Sequence, residues 1–182
     1  VVGLGDIGGD FARKMKALGS YTIGIKRTKG EKPEYIDELY TMEDLDALLP
    51  RADIVALSLP GTKDTYHLFN RDKFNLMKKD AIIINVGRGN CICTDDLCDA
   101  LENGIISGAG LDVTEPEPLP AEHRLWDAPG VVITPHISGF FHLPETLRRI
   151  VNISIENLEH FKKQEPLKNI VDFKTGYRVQ NK

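Results

Sequence analysis

The sequence predicts an α/β fold in which helices cover both faces of a doubly wound parallel sheet. Short apolar runs at 53–59, 81–86 and 106–113 are nearly continuous, which is typical of strands buried on both faces of a parallel sheet. Segments with apolar residues at helical spacing alternate with these runs along the chain. Strands that alternate with helices at this pitch indicate the doubly wound class.

The first elements of the chain are predicted in the order strand, glycine turn, helix and strand. Residues 1–2 form a strand tail, and the helix after the turn extends to Gly19. Its apolar residues recur at helical spacing: Ile7, Phe11, Met15 and Leu18. A second strand is predicted over 21–25. A capping pattern at 41–44 then predicts a short helix, which Pro50 ends.

The second half of the chain continues this alternation. Thr94, followed by two acidic residues, predicts the start of a helix, and Gly104 predicts its end. After a proline-rich loop at 115–120, the last strand is predicted over 131–134 and a long helix begins near Pro144. The apolar face of this helix consists of Leu147, Ile150, Val151, Ile155, Leu158 and Phe161.

Gly3, Gly5 and Gly8 form a G-x-G-x-x-G pattern between a strand and a helix, which is the setting in which this pattern indicates a Rossmann dinucleotide site. Gly3 permits the tight turn, and Gly5 lets the backbone approach a pyrophosphate. Gly8 allows the helix to pack closely on the strand, and the exposed helix N-terminus attracts the anion. The alternative is a glycine-rich turn without a ligand.

The end of the second strand favours NADP over NAD as the cofactor. NAD-binding domains carry an acidic residue about 20 positions after the glycine motif, where it binds the ribose 2′-hydroxyl. Here Lys26 and Arg27 occupy this region, with Lys29 close behind, and a cationic pair can hold a 2′-phosphate. The alternative is a solvated basic loop with NAD bound through its hydroxyls.

Three further segments lie just past predicted strands, where ligands bind in open α/β sheets: 85–89, 110–118 and 134–139. They have the sequences Asn-Val-Gly-Arg-Gly, Gly-Leu-Asp-Val-Thr-Glu-Pro-Glu-Pro and Thr-Pro-His-Ile-Ser-Gly. Together with the glycine turn, in this order and spacing, they resemble the D-isomer-specific 2-hydroxyacid dehydrogenase family. This family includes phosphoglycerate, glyoxylate, hydroxypyruvate and D-lactate dehydrogenases, and the resemblance covers nearly the whole chain.

The resemblance implies roles for individual residues. Arg88 is similar to the arginine that grips the substrate carboxylate and carbonyl, His136 to the catalytic histidine, and Glu117 to its partner carboxylate. Asp112 is similar to the residue that contacts the nicotinamide carboxamide. Glu115 is the competing carboxylate, but Glu117 is favoured because it lies five residues after Asp112, the spacing of the family. The other implied cofactor contacts are Asp6, Ile7, Pro60, Thr65, Val86, Gly87, His136, Ser138 and Gly139.

The chemistry of keto-acid reduction needs the same three side chains. The substrate that the resemblance implies is a small-molecule 2-keto acid or, in reverse, a 2-hydroxy acid. Its reduction needs a hydride, a proton and a cation for the carboxylate. The planar fork of Arg88 suits a carboxylate, and a histidine such as His136 suits proton transfer. Glu117 would stabilise and orient the charged ring. These expected roles predict that the chain is part of an oxidoreductase.

Composition excludes several other classes of function. With a formal charge of −4 and a pI near 5.7, the chain lacks the broad basic field of a nucleic-acid binder. No apolar stretch approaches the roughly 20 residues of a membrane span, so a soluble cytoplasmic protein is expected. The three cysteines, Cys91, Cys93 and Cys98, lack metal-ligand spacing and are expected to be reduced packing residues, with no metal site.

The expected domain organisation is a dinucleotide-binding domain over 1–163, truncated at its N-terminus, followed by a tail over 164–182. This tail would return to a substrate-binding domain that is mostly missing from the chain. We therefore expect the 182-residue chain to bind dinucleotide better than it catalyses. The resemblance also implies a homodimer.

Two rival functions remain at this point. The same family resemblance extends to transcriptional corepressors, so a dinucleotide-sensing interaction protein is the alternative to an enzyme. A Rossmann methyltransferase is disfavoured, because methyl transfer requires neither Arg88 nor His136. The other histidines are expected to be structural or exposed: His67, His123, His142 and His160. Trp126 is expected to anchor the proline-rich loop or a subunit contact.

Overall fold

The computed structural model describes residues 1–139 and 143–179 and divides into two compact units, Val1–Pro135 and His136–Lys182. The strands of the first unit are β1 Ile23–Lys26, β2 Glu38–Thr41, β3 Ile54–Leu57, β4 Ile82–Asn85, β5 Gly108–Leu111 and β6 Val131–Ile133. Its helices are α1 Asp6–Ala17, α2 Leu45–Leu48, α3 Arg71–Leu76 and α4 Thr94–Glu102. The second unit contains α5 Pro144–Lys163.

The sheet is parallel throughout, and the strand order reverses at Val2. β1 pairs with β2, and the other four strands follow in the order β3-β4-β5-β6. Val2 joins the two groups, since it bridges Ile25 on one side and Leu57 on the other. The order β2-β1-Val2-β3-β4-β5-β6 confirms the predicted doubly wound α/β fold.

The core lies within the first unit. Among the described residues, every buried hydrophobic side chain falls between Val2 and Ala128. The largest fully buried ones include Phe69, Phe74 and Ile83, which connect α3 and its flanks to the central strands. The central strands are as apolar as the sequence indicates because both faces of a doubly wound parallel sheet are covered.

Most predicted elements are present in the structure, although several begin or end a few residues from the predicted position. The main differences are as follows. β2 and α3 were not predicted, and the strand expected over 21–25 begins only at Ile23. Pro50 does not end the short helix but continues it as a 3-10 turn over Leu49–Arg51. The capping pattern is confirmed, since the Thr41 backbone amide donates to the Asp44 carboxylate at 3.0 Å.

The second unit begins at His136 and contains α5 and the tail that follows it. No residue of α5 is buried, although its apolar face is the predicted one. The tail folds back on the helix: the Asn157 side chain bonds both the amide and the carbonyl of Lys168, at 2.7 and 3.1 Å. None of the helices in 1–139 and 143–179 combines the length and apolar composition needed to cross a bilayer.

Candidate functional site

The glycine turn connects Val2 to α1 and has the geometry predicted for it. Gly3 has a φ of +93°, which favours glycine, and the Ser58 hydroxyl donates to its carbonyl at 2.7 Å. A Cβ on Gly8 would lie 1.9 Å from the Gly3 carbonyl oxygen and 2.5 Å from the Ser58 hydroxyl. A Cβ on Gly5 would meet no atom within 4 Å. Gly8 therefore serves close packing, whereas Gly5 faces open space.

The N-terminus of α1 is open to a ligand. Gly5, Asp6 and Ile7 are exposed, and the first-turn amides of a helix attract anions. The Gly5 backbone has the free approach that a pyrophosphate requires. These residues fit the diphosphate of a dinucleotide.

The predicted 2′-phosphate residues lie at the same edge of the sheet. Lys26 is the last residue of β1, and Arg27 is exposed directly after it. The glycine turn is adjacent, because the Gly3 amide donates to Ile25 in β1 at 3.0 Å. Both basic residues therefore lie at the carboxyl end of the strand next to the turn, where the adenosine ribose is held in this fold.

Asp37 closes the loop that carries these basic residues. Its carboxylate accepts hydrogen bonds from Lys16 of α1 and from the Thr22 amide, the latter at 2.8 Å. The Lys16 and Thr22 hydrogen bonds lower the pKa of Asp37 to about 2. The loop is thus attached at its base to the helix that begins at the glycine turn.

Arg88 is presented by a loop that two glycines and one buried asparagine hold in place. Asn85, fully buried at the end of β4, donates to the Arg88 carbonyl at 2.9 Å and accepts from the Gly87 amide at 3.0 Å. A Cβ on Gly87 would lie 2.6 Å from the Leu59 carbonyl oxygen. The Arg88 side chain itself is exposed at this edge.

The loop with Glu115 and Glu117 packs directly against the Arg88 loop. A Cβ on Gly89 would lie 1.9 Å from the Thr114 carbonyl oxygen, so only glycine permits this contact. The Thr94 hydroxyl donates to the Glu115 carbonyl at 2.6 Å, rather than capping its own helix. Glu115 is half-buried and forms an ion pair with His67, whereas Glu117 is exposed.

Other predicted cofactor residues line the same edge of the first unit. Asp112, only 5% exposed, follows β5 and accepts a hydrogen bond from the Thr134 hydroxyl. Pro60 follows β3, and its carbonyl accepts from the buried Thr65 hydroxyl at 2.7 Å. Val86 follows β4 and is half-buried. Contacts of these residues with a cofactor remain predictions.

The predicted catalytic trio is divided between the two units. Arg88 and Glu117 belong to the first unit, and His136 is the first residue of the second. His136 is half-buried with a φ of +54°, a left-handed conformation that is uncommon outside glycine. Ser138 and Gly139 follow it and are exposed. The structure thus brings two members of the trio to one sheet edge, and the role of His136 remains a prediction.

Sequence reasoning missed three residues that support this site. Asn85 is the first residue of the segment 85–89, but its residue type does not indicate that it would hold the Arg88 loop. Ser58, directly after β3, donates to the glycine turn, and His67 contacts Glu115, which lies 48 positions away in the sequence. Such contacts join segments that are distant in sequence, so spacing alone could not reveal them.

The remaining predicted structural residues have local partners. The Trp126 indole donates to the Pro120 carbonyl at 2.9 Å, which anchors the proline-rich loop as expected. His123 accepts from the Leu125 amide at 3.1 Å, and the His160 ring contacts the Pro166 carbonyl at 2.7 Å. His142 lies outside the described residues. Cys91 and Cys98 are buried in the core, and Cys93 is half-buried.

The glycine turn with Gly3, Gly5 and Gly8, which we call the glycine cradle, lies at the switch point of a doubly wound parallel sheet. This combination defines a dinucleotide-binding domain. The family model for the NAD binding domain of D-isomer specific 2-hydroxyacid dehydrogenases matches residues 1–138. The chain belongs to this family, as the sequence motifs predicted.

Curated relatives and solved structures agree with this assignment. The chain is 37% identical over 178 residues to a glyoxylate reductase of Korarchaeum cryptofilum, covering 94% of this chain and 51% of the relative. It is 35% identical over 172 residues to a hydroxypyruvate reductase of Blautia hydrogenotrophica, covering 94% and 52%. The chain therefore spans about half the length of these relatives.

Two solved structures share the fold closely. One is an NADPH-dependent glyoxylate/hydroxypyruvate reductase from Sinorhizobium meliloti in complex with NADP and sulfate, with a TM-score of 0.88 and 35% identity. The match covers 97% of this chain and 55% of that one. The other is a D-isomer specific 2-hydroxyacid dehydrogenase from Xanthobacter autotrophicus in complex with NADPH and MES, with a TM-score of 0.88, 34% identity and coverage of 97% and 71%.

Proposed function

We propose that the full-length protein reduces a small 2-keto acid to a D-2-hydroxyacid with NAD(P)H, in a reversible reaction. The observation that carries this proposal is the Arg88 loop, which Asn85 and two packed glycines hold at the same sheet edge as the glycine cradle. An anchored cation beside a dinucleotide site can bind a substrate carboxylate next to the nicotinamide. The bound dinucleotide supplies the hydride.

The side chains divide the remaining tasks. Arg88 holds the carboxylate and the keto oxygen of the substrate through its planar donor fork. His136 donates the proton to that oxygen and takes it back in the reverse reaction. Glu117 orients the His136 ring and stabilises its charged form. Glu117 is a better candidate than Glu115 because Glu115 is already bound to His67.

The relatives support a small substrate. The names of the matched proteins, glyoxylate reductase and hydroxypyruvate reductase, support a keto acid of two or three carbons. An enzyme is favoured over a dinucleotide-sensing interaction protein because sensing does not need Arg88, Glu117 and His136. A homodimer and a cytoplasmic location remain predictions.

The reaction is tested by assaying the full-length protein against glyoxylate, hydroxypyruvate and longer 2-keto acids. We expect Arg88→Gln to lower kcat/KM by about 10²-fold or more, since it removes a charged anchor of the reacting group. His136→Gln should lower kcat by about 10²- to 10⁴-fold, the usual contribution of a general acid. Glu117→Gln should shift the acid limb of the pH–rate profile more than Glu115→Gln does.

Two results would contradict the proposed reaction. A His136→Gln variant with wild-type turnover would exclude the acid–base role. A wild-type protein that binds dinucleotide but reduces none of these acids would favour the sensing function instead.

NADP is the preferred cofactor. Lys26 and Arg27 lie at the carboxyl end of β1, next to the glycine turn, and the two solved structures described above contain NADP or NADPH. The double variant Lys26→Gln/Arg27→Gln should weaken NADPH binding about tenfold or more, as expected for the loss of two charge-assisted hydrogen bonds. Binding of NADH, followed by the same fluorescence titration, is the internal control. A wild-type preference for NADH would exclude NADP as the physiological cofactor.

A further inference from the structure

His67 lies where three loops of the proposed active site meet. These loops follow β3, β4 and β5 and cover 60–70, 86–92 and 112–118. The first loop pairs with the second, since Phe69 and Ile92 form a parallel bridge. Next to this bridge, the His67 amide donates to the Asn90 carbonyl at 2.8 Å. The backbone of His67 is thus bound to Asn90, which lies two residues after Arg88 in the Arg88 loop.

The ring of His67 reaches the third loop. Its Nε2 is hydrogen-bonded to the carboxylate of Glu115, which lies two residues before Glu117. The two side chains are 33% and 32% exposed, so water screens this pair less than it screens an open surface pair. One residue therefore binds the Arg88 loop through its backbone and the Glu117 loop through its ring.

The backbone of His67 has an unusual conformation that makes this double contact possible. Its φ is +48°, in the left-handed region that favours glycine. The ring stacks on Tyr66, with ring centroids 3.9 Å apart and planes 16° from parallel. Uncommon backbone conformations persist only where surrounding contacts hold them, and they concentrate at functional sites. Here those contacts are the Tyr66 stack, Glu115 and Asn90.

We propose that His67, through Glu115 and the Asn90 carbonyl, is a positioning residue that sets the Arg88 loop and the Glu117 loop relative to each other. This inference rests on the proposed reductase function. Catalytic groups must be held in place by their supporting contacts, because a displacement of about 1 Å can cost about 10²-fold in rate. His67 acts through Glu115 and through the loop backbone, whereas Arg88, Glu117 and His136 contact the reacting groups.

The test is a double-mutant cycle on the full-length protein. His67→Ala and Glu115→Ala should each lower kcat for the keto acid by about 10- to 100-fold. The double variant should lose no more than either single variant, because both disrupt one contact. His67→Gln keeps a side-chain donor and should restore most of the rate. The Kd of NADPH should change by no more than about twofold, since the glycine cradle is unaffected.

Further measurements separate positioning from folding and from acid–base catalysis. His67→Gly removes the ring but relieves the left-handed backbone, so it should be as slow as His67→Ala with an unchanged melting temperature. The His67 variants should have a lower rate at every pH, and both limbs of the pH–rate profile should remain. His123→Ala, a matched control in which the ring contacts its own turn, should keep wild-type turnover.

Several results would overturn the proposal. Additive losses in the cycle, wild-type turnover in His67→Gly, or a lost limb of the pH profile would each exclude a positioning role through Glu115. If the wild-type protein reduces no keto acid, the reductase function itself is wrong and the positioning role falls with it. If the wild type is active and both single variants match it, only the role of His67 is wrong.

Discussion

At the scale of single residues, Gly5 and Gly8 have opposite environments although they belong to one motif. A Cβ on Gly8 would strike the Gly3 carbonyl, a backbone atom that cannot yield without moving the turn. A Cβ on Gly5 would meet nothing within 4 Å. The requirement for glycine at position 8 therefore arises within the protein. No protein atom restricts position 5, where we propose that the pyrophosphate of the cofactor requires glycine.

This difference predicts different losses for two alanine variants of the 182-residue chain. Gly8→Ala should lower the free energy of unfolding by about 1–3 kcal/mol, because the added methyl group overpacks the turn. It should also weaken NADPH binding. Gly5→Ala should unfold like the wild type but bind NADPH more weakly, because the methyl group occupies the approach of the pyrophosphate.

Urea denaturation and fluorescence titration of NADPH measure the two effects separately. Equal NADPH affinity of Gly5→Ala and the wild type would show that no diphosphate approaches the Gly5 backbone.

At the scale of elements, β2 is held by polar contacts that could not be predicted from its sequence. The Glu38 carboxylate accepts hydrogen bonds from Arg51, Tyr40 and Tyr21, and these bonds lower its pKa to about 2. Asp37, just before the strand, is attached to α1 through Lys16. Two carboxylates at the edge of the sheet are therefore more acidic in the folded state than in the unfolded chain.

The depressed pKa values predict a loss of stability in acid. Because the folded pKa of Glu38 and Asp37 lies below the unfolded one, these groups stabilise the fold above about pH 4.5, and this contribution disappears as the pH falls towards about 2. Asp37→Asn should therefore flatten the decline of the urea midpoint between these pH values. Asp53→Asn is the control, since Asp53 is 85% exposed. A parallel decline in wild type and Asp37→Asn would contradict this linkage.

The elements that could be predicted are those whose sequence shows helical periodicity over many residues or an uninterrupted apolar run. α1, α4, α5 and the central strands were predicted for this reason. β2 has four half-buried residues without alternation, and α3 has only six residues, fewer than two full turns. Their positions are set by the packing of Phe74 and by the contacts of Glu38, which depend on residues elsewhere in the chain.

At the scale of the whole molecule, parallel topology explains why much of the site could be predicted. Loops that follow parallel strands meet at one edge of the sheet, so the motifs after Val2, β1, β3, β4 and β5 had to converge. The contacts that fix these loops against one another were not predictable, as the pair of His67 and Glu115 shows. Topology determines which segments meet, and side-chain packing determines how they are held.

The location of the core predicts which part of the chain folds independently. The glycine cradle, Lys26 and Arg27 lie in the first unit with every buried hydrophobic side chain of the described residues, and no residue of α5 is buried. We therefore expect residues 1–135 alone to unfold cooperatively, with a midpoint within about 5 °C of the 182-residue chain. Their affinity for NADPH should fall by no more than about tenfold, through loss of the predicted contacts in 136–139.

A chain of residues 1–163 provides the comparison, because it includes α5 and ends at the predicted domain boundary. Circular dichroism melts and NADPH titrations of both chains measure the difference. If 1–135 is unfolded while 1–163 melts cooperatively, α5 contributes to the stability of the first unit and the boundary at 163 is correct. Equal melts would place the end of the dinucleotide-binding domain before His136.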